Sequence, residues 1–340
     1  MRGLFLLLTP RLLAFRHSLR RADARTRRRT WIMLGVGLLF WGGMFLLSSR
    51  VLSYFQSVEV IGDILSRYLL GMVLLTFFSL LVFSHIITSL SALFLSEDLE
   101  LCHATPASLE EVFLSRVACT IVDGSWMMVI FGLPVMLAYA RVYQAGPGFY
   151  AALAFSGLPL ILIAAGIAVL LTMILVNVFP AQRTRDIMTL LTVLLVVGLY
   201  LMFRFLRPER LVDPDAFFST LQYISALKAP DSPYLPTHWA SEIIWRHLSG
   251  TTYTGYRLHF LLLWSTGAAL IVINVWTAEA LYFKGFSRAQ EAKKRRTGGG
   301  VFLGVLNRIF RLPLARGQAA VVDKDIRAFF RDNSQWSQLI

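Results

Sequence analysis

The residues best placed to do chemistry stand together in one polar passage, Ser96-Glu97-Asp98-Leu99-Glu100-Leu101-Cys102-His103-Ala104-Thr105-Pro106-Ala107-Ser108-Leu109-Glu110-Glu111, set between two long apolar stretches. Leu99 and Leu101 suit a short helix that ends before Thr105-Pro106, because the residue ahead of a proline avoids helical geometry. Ser108-Leu-Glu-Glu111 reads as a capping box, in which the serine hydroxyl accepts from a first-turn amide and Glu111 reaches back. Helix, proline break and capped helix together make a stiff acidic elbow that a soluble partner can hold. Cys102-His103 beside Glu100 offers too few ligands for a metal, so no metal site is expected. No catalytic residue is expected either: G-x-x-x-x-G-K-[ST], H-E-x-x-H and Cys-x-x-Cys do not occur in the 340 residues.

A second group consists of polar residues embedded in apolar blocks: His85, Asp123 and Glu279, with Asn177 and Asn274 as uncharged companions. Charge in hydrocarbon is costly, so each needs a reason to be there. One reading is a path for protons or substrate between helices. The other is interhelical hydrogen bonding, worth about 1 kcal/mol per contact. Glu279 and Asn177 take the second reading; for His85 and Asp123 both stand open.

The elements that must position these residues are membrane helices. Hydrophobic side chains make up 56% of the chain and charged ones 16%, too apolar for an ordinary soluble fold. Six blocks approach the length of a bilayer crossing: Trp31–Leu47, Tyr68–Leu95, Val117–Ala140, Tyr150–Phe179, Ile187–Phe203 and Phe260–Phe283. Lipid cannot satisfy exposed peptide groups, and strand-period alternation is absent, so the expected class is an all-α polytopic membrane protein. With the N-terminus inside, inner segments carry 24 of the 33 Lys and Arg and outer segments 9. That asymmetry predicts two cytoplasmic termini and points the net charge of +13 at anionic lipid rather than at nucleic acid. Cys102 and Cys119 are not expected to pair in that compartment.

Around the six-helix domain, 31–285, lie a basic leader, 1–30, and a basic tail, 286–340. Residues 5–21 gather Phe5, Leu8, Leu12, Phe15 and Leu19 on one helical face, which predicts a helix lying flat on the membrane. The long outer loop, 207–258, holds two helical patterns, Ala216–Leu227 and His238–Leu248. These either dip back, with Trp239, Ile243 and Trp245 at headgroup level, or form a small folded cap. Trp336–Ile340 reads as the threshold of a further span.

The order of parts resembles the type-2 ABC exporter permeases, above all the larger bacterial ones in which two such halves are joined. The local match is acidic residues ending span two, Glu97, Asp98 and Glu100, then Thr105-Pro106-Ala107-Ser108 and a helix carrying Glu110 and Glu111. The resemblance implies a permease without a P-loop of its own. It would hold no cofactor itself, with ATP and Mg confined to a separate ABC-type ATPase subunit, and would pair with a second permease half or a homodimer partner. The elbow would then be an ATPase-coupling helix that drives outward substrate movement. A proton-coupled secondary transporter and a non-transport membrane scaffold are the alternatives.

Overall fold

The computed structural model describes residues 24–57, 62–96, 98–178, 197–198, 200, 232–250 and 256–294. Every regular element among them is helical. Helix α1 spans Ala24–Gln56 and α2 Gly62–Leu90; α3, Leu99–His103, and α4, Leu109–Met127, form the elbow side; α5 spans Leu133–Val142, α6 Pro147–Val178, α7 Pro236–Ser249 and α8 Tyr256–Lys294. Five stretches are long and apolar enough to cross a membrane: Thr30–Gln56, Gly62–Leu95, Leu109–Val142, Pro147–Val178 and Tyr256–Ser287. The expected span Ile187–Phe203 lies outside the described residues apart from 197, 198 and 200. So do the flat helix 5–21, the pattern Ala216–Leu227, and residues 295–340.

The helices overrun the apolar blocks at both ends, because hydropathy marks only the stretch in hydrocarbon while the backbone keeps its hydrogen bonds into the polar margin. Arg50 and Arg67, expected in a connecting loop, are therefore helical, in α1 and α2. The start of α2 lies hard against the end of α1: a Cβ on Gly62 would stand 2.1 Å from the Phe55 carbonyl oxygen. The third crossing is interrupted by a π-helical turn, Met128–Gly132, ahead of Pro134. Proline donates no amide hydrogen bond, and the wider turn absorbs the missing one. A matching π turn, Ser91–Leu95, ends α2, with the Ser96 amide donating to the Ser91 carbonyl at 2.9 Å.

Helix α6 is the centre of the bundle, packed against α8, α2 and α7, while α1 leans chiefly on α5. Without a hydrophobic drive between helices in lipid, close packing and interhelical hydrogen bonds must hold them. Small residues Ala164, Ala165, Gly166 and Ala168 line the buried side of α6. A Cβ on Gly166 would meet Leu270 Cβ at 2.9 Å. The contact is fastened twice: Asn274 donates to the Gly166 carbonyl at 3.0 Å and Asn177 to the Leu281 carbonyl at 3.1 Å. Between α2 and α6, Ser89 and Thr172 hydroxyls share a hydrogen bond of 2.6 Å. We expect Asn274→Leu to lower stability by about 0.6–2 kcal/mol, read as an earlier midpoint in SDS-induced unfolding; an unchanged midpoint would refute the clamp.

Helix α7 packs inward. Ala240, Ile243, Ile244, Trp245 and Leu248 join the main core cluster, Trp239 donates to the Pro233 carbonyl at 2.7 Å, and Glu242 pairs with Arg67 of α2. Ile243 and Trp245 therefore pack against protein, not at headgroup level as one sequence reading had them. The amphipathic face meant for an interface is covered by the ends of α2, α6 and α8.

Candidate functional site at the elbow

At the opposite end of the bundle, α2, α3 and α4 build the elbow. Leu99 is wholly buried, and Val112 and Phe113 nearly so, which seats both arms on the bundle. The proline break forms as expected: the Thr105 hydroxyl donates to the Cys102 carbonyl at 2.6 Å. Ser108 caps α4, its Oγ accepting from the Glu111 amide at 3.3 Å. Glu110 and Glu111 sit in the first turn of α4, where the positive end of the helix dipole favours carboxylates.

The root of the elbow is a charged knot. Arg116 donates through Nη1 to Asp98 Oδ1 at 3.2 Å and through Nη2 to Oδ2 at 2.9 Å, the two-pronged geometry that makes such pairs strong. Nη2 also donates to Cys102 Sγ at 2.9 Å, and the Ser96 hydroxyl donates to Asp98. The Arg116 side chain is 6% exposed and that of Asp98 57%. Partial burial alone would raise the Asp98 carboxyl; the hydrogen bonds from Arg116 and Ser96 and the guanidinium charge outweigh it and hold the carboxyl below its ordinary value.

A depressed carboxyl contributes stability above its unfolded value of 3.8 and loses it as pH falls through the folded one. A spin label at position 101 should therefore stay immobile from about pH 7 to about pH 5 and loosen only below the ordinary carboxyl range. Loosening that begins near neutral pH would contradict this.

Leu101, 73% exposed, with Ala104, Thr105, Pro106, Ser108 and Glu110, forms the outward surface of the elbow. Of the residues singled out in the sequence, Glu97 and the side chain of Glu100 lie outside what is described, and Asp98 turns back to the root instead of joining that surface. Arg116 counted in the sequence only as an inner-facing charge; eighteen residues separate it from Asp98, and no periodic signal joins them. Neither Cys102 nor Cys119 forms a disulfide among the described residues.

The intramembrane polar residues do not converge. His85 is fully buried between α2 and α4, its Nδ1 3.2 Å from the Thr120 carbonyl oxygen. Asp123 and Glu279 lie on exposed sides of α4 and α8, and Asn177 bridges α6 to α8. His85 and Asp123 thus occupy different faces.

A protein-family model described as "Putative ATP-binding cassette" matches residues 21–340. The chain belongs to this family. The match takes in all five candidate spans. No curated protein and no solved structure matches the chain.

Membership of the ATP-binding cassette family corrects the reading drawn from the elbow motif. That resemblance rested on the order of parts and one local motif, whereas the family match runs over residues 21–340, and the family is described by nucleotide binding, not as a permease. The assignment to the type-2 exporter permeases therefore falls. With it fall the permease function, the expectation of no enzymatic activity, and the confinement of ATP and Mg to a partner.

A nucleotide site of the P-loop kind needs a glycine-rich turn with free amides, a lysine for the phosphates and a hydroxyl for Mg. Among the described residues, Gly62 is packed against the end of α1, and Gly124, Gly166 and Gly285 are packed against neighbouring helices. No group of three or more His, Cys, Asp or Glu there could hold a metal ion. The described residues thus offer neither a P-loop for ATP nor a cluster of three or more His, Cys, Asp or Glu for Mg.

Proposed function

We propose that the protein is a membrane-associated ATP-binding cassette component, with the elbow as the surface through which nucleotide-linked movement passes between its helix bundle and a transporter partner subunit. The family supports the link to ATP, and five apolar helices support the membrane. The observation that carries the reading is the knot at the elbow's root. A nearly buried guanidinium pins Asp98 and Cys102, so a partner subunit that pushes on the outward surface moves α2 and α4 rather than bending a loop. On this reading Leu101, Thr105, Pro106, Ser108 and Glu110 meet the partner, Glu111 supports the capped helix, and Glu97 and Glu100 add negative charge. The excess of Lys and Arg on one side supports a cytosolic elbow, on the reading of a bacterial inner membrane protein.

The test uses protein purified from its native membranes together with its assembly. Replacing Leu101, Pro106 and Glu110 by alanine should lower Mg-ATP hydrolysis at least about tenfold, about 1.4 kcal/mol in barrier, with the melting temperature nearly unchanged. Hydrolysis that stays at the wild-type rate refutes the elbow assignment. Absence of both hydrolysis and radiolabelled ATP binding in the wild-type assembly refutes the ATP-linked reading.

A further inference from the structure

The elbow is fastened to a helix that the sequence does not connect it to. The His103 ring lies nearly parallel to that of Phe286 in α8, with centroids 4.5 Å apart and planes at 20°, and stacks on Tyr282 one turn earlier at 5.7 Å and 25°. Its Nδ1 lies 2.7 Å from the Leu99 carbonyl oxygen, which fixes the ring to α3. Tyr282 is wholly buried and also meets Phe94 of the π turn at 5.8 Å and Phe113 of α4 at 5.5 Å. Between Tyr282 and Phe286, Gly285 lets Phe94 approach: a Cβ there would stand 2.9 Å from Phe94 Cε1 and 3.2 Å from Asn177 Nδ2. Asn177 in turn holds the Leu281 carbonyl. The single α8 turn Leu281–Phe286 thus touches the end of α2, the elbow helix α3, the start of α4 and the end of α6.

We infer that this turn of α8 receives the elbow's movement, with His103, Tyr282 and Phe286 as positioning residues that lock α3 to α8. The physical reason is stiffness. A flat ring stack backed by a glycine contact and an interhelical amide bond has few soft torsions. Displacement of α3 is therefore delivered to α8, and from α8 to α6 along the Gly166–Leu270 contact. Without the stack, α3 would hang from α2 and α4 alone, and α8 would not follow it. The mechanical part of this inference stands independently of ATP; its consequence for transport rests on the function proposed above.

The experiment places spin labels at Leu101 and Lys284, both exposed, through a keto amino acid, so that Cys102 and Cys119 remain native. Distances are measured in the intact protein in lipid nanodiscs. Wild type should give one narrow distribution. His103→Ala and Phe286→Ala should each widen it at least about twofold, and the double variant should be no wider than either single one, the non-additivity of a shared contact. His103→Phe, which keeps a flat ring, should restore the narrow distribution, an outcome that general loosening of the fold would not give. A distribution unmoved by both alanine variants, widening that adds in the double variant, or no rescue by phenylalanine would each overturn the inference. Mg-ATP hydrolysis is followed in the same samples. If the wild type shows none, the transport reading fails while the distances still decide the joint.

Discussion

Asp98→Ala will cost this protein more stability than removal of its partner's charge. Arg116 is 6% exposed and directs donors to both Asp98 oxygens and to Cys102 Sγ. Removing the carboxylate leaves a guanidinium with one weak sulfur acceptor in a nearly dry place, and uncompensated buried charges cost about 3–5 kcal/mol. The 57% exposure of Asp98 lets water replace part of what is lost, which brings the expectation to about 2 kcal/mol. Arg116→Met keeps the packed stem and frees Asp98 to water, so it should cost about half as much. The double variant Asp98→Ala/Arg116→Met should then be more stable than Asp98→Ala alone, because no charge is left stranded. Thermal midpoints in detergent, with hydrogen exchange across 98–111, measure all three. A midpoint for the double variant at or below that of Asp98→Ala would refute the account.

The elbow was legible in the sequence because each of its signals is local. The Thr105-Pro106 break, the Ser108 cap and the carboxylates of the following turn all lie between 105 and 111, and the break and the cap form where the pattern put them. The five candidate spans were legible for a similar reason, since a run of apolar residues needs no knowledge of its neighbours. What joins helices was not legible. The Arg116–Asp98 fork, the His103 stack on Tyr282 and Phe286, and the inward face of α7 depend on which surfaces meet, and hydropathy treats every face of an apolar helix alike. In α7 the amphipathic pattern left headgroups and a folded cap both open as partners; Trp245 packs on Tyr143, their centroids 5.4 Å apart. The family correction follows the same division. A short motif captured the elbow's local shape, which different proteins can share, while membership was decided over the length of the chain.

One interhelical contact with little tolerance is Gly124 against His85. A Cβ on Gly124 would stand 2.1 Å from His85 Nδ1 and 2.6 Å from Cε1, inside any permitted approach. The imidazole cannot simply swing away. It is fully buried, its Nδ1 is held at 3.2 Å from the Thr120 carbonyl oxygen, and the Ser84 hydroxyl ties α2 to the Gly124 carbonyl at 3.1 Å. Gly124→Ala must therefore push α4 off α2 or break the bond to Thr120. Overpacking costs about 1–3 kcal/mol where neighbours can yield, and we expect the upper end of that range. His85→Ala alone removes a ring and a hydrogen bond and should also destabilise, by about 2 kcal/mol. Together the two changes should cost less than their sum, because the new methyl enters space the ring has left. Strict additivity in SDS-unfolding midpoints would show that the two residues do not press on each other. The same pair separates the two roles open to His85. If the double variant recovers folding and ATP-linked activity together, the imidazole is a spacer between α2 and α4. Recovery of folding without activity would mean that its nitrogen does chemistry that a methyl group cannot replace.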